Sequence, residues 1–222
     1  HGIIVLEVDS SGKLLTPTTA ATFVDWYRKH GGLEPHLNSA GHFSTADTIG
    51  RHANPRTQLA AIHDWVRTHI RYIADMRRGH SLFPHRPEEV LQTRYGDCKD
   101  RAYLVCALAQ EYGLTVRMGI VASTFRPTPD QVHPMNYDHV ICYYSDSSGE
   151  LFFDPTAQYN AFEDPPTVIL DHPALIIDPD APRQVMVTSP DTEVELYVRF
   201  DAHIDSLRSA RAESVLRKDR LS

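Results

Sequence analysis

Between Asn54 and Ile73 the apolar residues Leu59, Ile62, Val66, Ile70 and Ile73 recur at every third or fourth position, which predicts a helix with one stripe facing a core. Asn54-Pro55 supplies its start, because Asn accepts from the open N–H groups of a first turn and Pro fits the first helical position. A second helical run begins at Cys98. There Ala102, Val105, Cys106, Ala109 and Tyr112 continue the face that carries Cys98, and Gly113 suits the left-handed residue that ends a helix. A shorter run, "TAATFVDWYRKHGG", predicts a helix stopped by two glycines.

Elsewhere the pattern is that of strands. "VRMGIVAST", "HVICYYS" and "ELFFDPT" predict three, the last two joined by Asp146-Ser147-Ser148-Gly149, and "VELYVRF" alternates like a half-buried strand. "GIIVLEVDSSGKLLTP" predicts two further short strands about a Ser-Ser-Gly turn, and "DPDAPRQVMVTSPD" is turn-rich. "RRGHSLFPHRPEEVLQTRYG" holds two prolines and predicts a long loop with a short helix from Pro87, forming one wall of a cleft. The order, a helix followed by antiparallel strands, gives an α+β class with the cysteine-bearing helix packed on an antiparallel β-sheet. Three parts are expected: an N-terminal segment over 1–53, a core over 54–165, and a C-terminal extension over 166–222. The polar end "SLRSARAESVLRKDRLS" is read as a frayed tail or the start of a further β-rich domain.

Composition narrows the function. The 222 residues can bury a real core, while a net charge of -7 leaves no electrostatic footprint for nucleic acid. Arg77-Arg78 and Arg217-Lys218 are read as solvated surface. No apolar run approaches the roughly 18 residues of a membrane span. His133, Asp138 and His139 match no standard metal-site spacing, so neither metal nor cofactor is expected. Three cysteines without a C-x-x-C pair argue against a disulfide framework. Cys98 and Cys106 stand two helical turns apart, roughly 12 Å along the axis, so at least one thiol is expected to be free.

Cys98 is where chemistry is expected. A buried cysteine is ordinarily a small hydrophobe, and a helix start, with its open N–H groups, is a poor place to hide one. The same N–H groups and the helix dipole suit a thiolate. Asp97, the expected cap, opposes that charge and Lys99 supports it. A thiol nucleophile needs a base and a group to orient the base. If the loop after Ser145 is even in length, Ser145 faces Glu150 and Ile141 faces Asp154. His139 is then diagonal to Asp154 on one sheet face, and Cys142 falls on the other face as a core residue. Each residue alone has a plainer explanation: His139 is one of 13 histidines, and Asp154-Pro155 is an ordinary turn opening. Tyr143, Tyr144, Phe152 and Phe153 suit a buried hairpin.

Together, "YGDCKDRAYLVCAL", "DHVICYY" and "LFFDPTA" resemble the transglutaminase-like superfamily of papain-like thiol enzymes, over roughly Asn54 to Ala157. The "GDCKD" form of the cysteine motif is similar to that of bacterial members, in which the domain often lies between β-rich domains. The resemblance implies Cys98 as nucleophile, His139 as general base and acid, and Asp154 as the residue that fixes the imidazole. It implies acyl transfer on a peptide or protein amide through a thioester, with hydrolysis favoured over amine crosslinking because water needs no second binding site. The Cys98 backbone N–H is the first expected oxyanion donor, and Tyr72 or Tyr95 a second, although packing is the plainer reading of Tyr72. The rival reading is a catalytically silent module that binds peptides or organises neighbouring domains. A chain opening at His1 is read as an excised or processed piece with flanking domains, and an exported or periplasmic location follows if the parent is a longer bacterial protein.

Overall fold

The computed structural model describes residues 17, 19–33, 49–74, 82–124, 132–189, 194–206 and 209–220. The two strands expected within residues 1–16 lie outside them, as do Arg77 and Arg78. Asn54 caps the Pro55–His69 helix, its side chain accepting from the N–H groups of Arg56 and Thr57 at 2.9 and 3.1 Å, a contribution of about 1 kcal/mol. Leu59, Ile62 and Val66 are fully buried on its inner stripe. Burying each contributes about 1.5–3 kcal/mol. Ile73 departs from that expectation. The helix ends at His69, the chain turns into a two-residue strand β1 (Arg71–Tyr72), and Ile73 stands 38% exposed.

Further along come the short Pro87–Thr93 helix and then β2 (Tyr95–Gly96), which pairs in parallel with β1 through Arg71 opposite Tyr95 and Tyr72 opposite Gly96. β2 leads directly into the Cys98–Glu111 helix. Past its end, Gly113 adopts φ 75°, and the N–H of Leu114 reaches back to the Ala109 carbonyl at 3.0 Å.

Five antiparallel strands form one sheet: β3 (Arg117–Val121), β4 (His139–Asp146), β5 (Gly149–Phe153), β6 (Pro173–Ile176) and β7 (Arg183–Met186), in the order β5-β4-β3-β6-β7. One face buries Met118, Ile120, Val140, Cys142, Leu151, Phe153 and Leu175 in the same cluster as Ala102, Val105 and Leu108 of the cysteine helix. The other buries Val121, Ile141, Tyr143, Phe152, Ala174 and Ile176 with Ile169 and Val187. This is an α+β fold. The sheet runs past residue 165, where the sequence reading ends the core, because apolar Ala174, Leu175 and Ile176 pair with β3 and are themselves fully buried. The turn-rich stretch before Ser189 thus contributes an edge strand.

The chain divides into two compact units, 1–188 and 189–222. The second is an antiparallel pair, β8 (Val194–Ser206) and β9 (Ser209–Arg220). β9 occupies the polar terminus for which a frayed tail was one reading; backbone pairing needs no apolar side chains, so composition does not announce it.

Candidate active site

The position of Cys98 is set by the residues around it. Asp97 caps the helix: its carboxylate accepts the N–H of Asp100 at 3.4 Å, and Asp100 in return accepts the N–H of Asp97 at 3.0 Å. Gly96 makes this box possible, since a Cβ there would lie 2.6 Å from Cβ of Asp100. Asp100 also holds the preceding loop, accepting the backbone N–H of His85 at 2.8 Å with the His85 ring Nδ1 at 3.1 Å. Lys99 is buried and paired with Asp97, so the capping carboxylate is not left uncompensated beside the thiol.

His139 opens β4 and Asp154 follows the last residue of β5, at the same end of two neighbouring strands. The hairpin has the even register expected, with Ser145 opposite Glu150. Nε2 of His139 lies 2.8 Å from Oδ2 of Asp154, which is only 4% exposed. A carboxylate only accepts, so Nε2 carries the proton, and Cys98 is near enough to the ring to contribute to its titration. Burial works against a charged imidazole. The bonds to Asp154 and Cys98, with the charges behind them, outweigh it and raise the His139 pKa to about 10. Burial likewise favours the neutral Asp154 carboxyl, yet His139 and the hydroxyl and N–H of Thr156, at 2.7 and 2.8 Å, hold its pKa below the ordinary value.

Two buried side chains brace this arrangement from behind. His63, on the Pro55–His69 helix, donates Nε2–H to the backbone carbonyl of Asp154 at 3.0 Å; burial lowers its pKa and keeps it neutral. Arg101, one turn into the cysteine helix and 2% exposed, donates to the Pro155 carbonyl at 3.0 Å and to the Ile70 carbonyl. Its guanidinium also lies over the Tyr72 ring, 5.5 Å from the centroid. One cation thereby ties together the segment after Asp154, the approach to Tyr72 and the helix of Cys98.

The structure thus brings Cys98, His139 and Asp154 together, with His139 hydrogen-bonded to Asp154 and Cys98 near enough to bear on the titration of the ring. Tyr72 is 44% exposed, and its pKa is raised, by burial first and then by the charge of Cys98. Tyr95 stands on β2 opposite Arg71. Cys142 is fully buried against the cysteine helix, its Sγ 3.8 Å from the Ala102 carbonyl. Asp138 is bonded to Ser123 and Thr124, and among the described residues no cluster of three metal-ligating side chains occurs. Sequence reasoning missed His63, Arg101, Thr156 and Tyr27. Thr156 was discoverable, since Asp154-Pro155-Thr156 has the spacing of a side-chain-closed turn. Buried Tyr27, whose pKa is raised by burial and by Cys98, Asp97 and Asp100, comes from a helix (Ala20–Gly31) that carries no motif.

The profile of the transglutaminase-like superfamily matches residues 44–155, half of the chain, and those residues include Cys98, His139 and Asp154. The chain belongs to that superfamily. Its transglutaminase-like, papain-like fold is shared with the crystal structure of a candidate protease from Parabacteroides distasonis, at a TM-score of 0.56 and 8% identity, over 78% of this chain and 32% of that one. A candidate cysteine protease from Cytophaga hutchinsonii aligns at a TM-score of 0.36 and 14% identity, over 99% of this chain and 59% of that one. The chain spans about a third of the length of the first and somewhat over half of the second. Curated proteins return no match. Membership supports, in broad terms, a cysteine-dependent enzyme. Among the described residues no helix is long and apolar enough to cross a membrane.

Proposed function

We propose that this transglutaminase-like unit cleaves peptide or protein amides through a thioester on Cys98, with His139 as the proton carrier and Asp154 as its orienting partner. The observation that carries this reading is the imidazole of His139, bonded through Nε2 to Asp154 at 2.8 Å and near enough to Cys98 for the sulfur to help raise its pKa. A His139 pKa near 10 favours an imidazolium at neutral pH, an acid already loaded for the departing amine and a positive charge beside the attacking sulfur.

In the first half-reaction the Cys98 sulfur attacks the amide carbonyl carbon, and the oxygen becomes an oxyanion. The C–N bond then breaks as His139 gives its proton to the departing amine, leaving the acyl group on sulfur. In the second half, water attacks the thioester while His139 takes one of its protons, and the acid leaves as the thiolate reforms. The backbone N–H of Cys98, an open donor of the helix's first turn, is one oxyanion donor; such a donor is typically worth about 3 kcal/mol. Tyr72 is the second, because a phenol held protonated near Cys98 can donate. A primary amine in place of water would give crosslinking; water is preferred because it requires no acceptor site.

The test incubates the wild type and Cys98→Ala with a peptide library, with and without an added primary amine, and identifies products by mass. Cleavage lost in Cys98→Ala supports the proposal. Amine incorporation without cleavage replaces hydrolysis by transfer, and silence in both proteins leaves the peptide-binding module as the better account.

A further inference from the structure

The two cysteines that this mechanism does not use are neighbours. Cys142, in the middle of β4, is fully buried, and its Sγ points at the Ala102 carbonyl across the sheet–helix interface at 3.8 Å. In an α-helix the carbonyl of residue 102 receives the N–H of residue 106, so a sulfur at that carbonyl is also beside Cys106, one turn further along the same face. The environments of the two thiols differ. Cys106 is only partly buried and lines a cavity of about 510 Å³ shared with Tyr103, Gln110, Arg117 and Met118, whereas Cys142 has no exposed surface. The cavity lies at the C-terminal half of the helix, two turns from Cys98.

We propose that Cys106 and Cys142 are a redox site, in which a peroxide converts the two adjacent thiols into a disulfide joining the helix that bears Cys98 to the strand that bears His139. Cys106, reachable from the cavity, is oxidised first: its sulfur takes one oxygen from the peroxide to become a sulfenic acid, and for hydrogen peroxide the other oxygen leaves as water. The Cys142 sulfur then attacks the sulfenic sulfur, the S–O bond breaks, and the hydroxyl departs with the Cys142 proton as a second water. Two thiols lose two electrons in all, and one peroxide gains them. Burial and the neighbouring Cys106 keep the Cys142 thiol protonated, so the order Cys106 then Cys142 follows from both access and ionisation. The bond would lock the distance between the two elements that carry the thiol and the imidazole of the candidate active site. The odd cysteine count that argued against a disulfide framework is accounted for: one thiol stands apart and the other two meet.

The test uses the full 222-residue chain with Cys98→Ser, so that the proposal stands independently of any role for Cys98. After hydrogen peroxide and without reductant, peptide mapping should show the Cys106 and Cys142 peptides linked and lighter by two hydrogens. The thermal midpoint should rise by about 10 °C, as expected for a crosslink closing a loop of this length in a domain of this size, and dithiothreitol should reverse it. Adding Cys106→Ser, which leaves the buried Cys142 in place, should abolish both the link and the shift. The proposal is overturned if Cys106 advances to sulfinic acid while Cys142 stays a free thiol, if neither thiol reacts, or if the shift survives in the Cys106→Ser protein.

Discussion

His63 donates a ring N–H to the backbone carbonyl of Asp154, 3.0 Å away, so the carboxylate that holds His139 is itself held from a helix far earlier in the chain. Both partners are buried. Replacing His63 with Leu strands that carbonyl, which should cost about 1–3 kcal/mol, while His63→Gln restores a donor and should recover part of the loss. Chemical denaturation of the three proteins checks this.

The same histidine has a pH signature. Its folded pKa is lowered, so the stability it contributes is fully present above the ordinary value of 6.5 and is lost as pH falls through the folded pKa. His139 has the opposite sign: raised to about 10, its contribution is present below pH 6.5 and lost as pH climbs through 10. Thermal midpoints of the wild type, His63→Gln and His139→Gln between pH 4 and roughly 10.5 should therefore diverge at opposite ends of the range. A His139→Gln difference that does not shrink on the alkaline side would contradict the imidazolium assignment.

Asp154→Asn should reduce amide turnover by about 10²–10⁴-fold, since the amide holds the ring but supplies no charge to stabilise an imidazolium. Iodoacetamide provides a substrate-free readout. In the wild type near neutral pH, Cys98 should be alkylated well before Cys106 and Cys142, and in Asp154→Asn the alkylation of Cys98 should slow as the imidazolium partner is lost. Equal, slow labelling of all three thiols in the wild type would favour the catalytically silent module instead.

Arg101 is expected to matter more to folding than any other charged residue of the cysteine motif. Arg101→Met preserves much of the volume but leaves the Pro155 and Ile70 carbonyls without their donor, so a loss of about 2–4 kcal/mol is expected in urea unfolding. Arg101→Lys should not rescue fully, because one ammonium cannot reproduce the spread of a guanidinium bridging two carbonyls.

Gly96→Ala places a methyl where Cβ of Asp100 lies 2.6 Å away. The capping box must give way, and a stability loss of about 1–3 kcal/mol is expected with it. Cys98 alkylation should slow as well, because the first helical turn shifts with its cap.

What the sequence by itself determined was the set of local choices. Asn54-Pro55 fixed the start of one helix, Asp97 the start of another, and the even turn after Ser145 the register that puts His139 and Asp154 at one end of neighbouring strands. These were legible because capping, period and hairpin parity act over a few residues. The helical stripe that was expected to run on to Ile73 stops at the turn into β1, where pairing with β2 wins over periodicity. Only the tertiary structure decided that Arg101 points inward to two distant carbonyls, that His63 backs Asp154, that β6 and β7 complete the sheet, and that Cys142 packs on the helix of Cys106. Each of these joins residues from separate segments. Burial makes a buried cation or imidazole depend on partners it can find only after the chain has folded back on itself, and no local pattern records who those partners are.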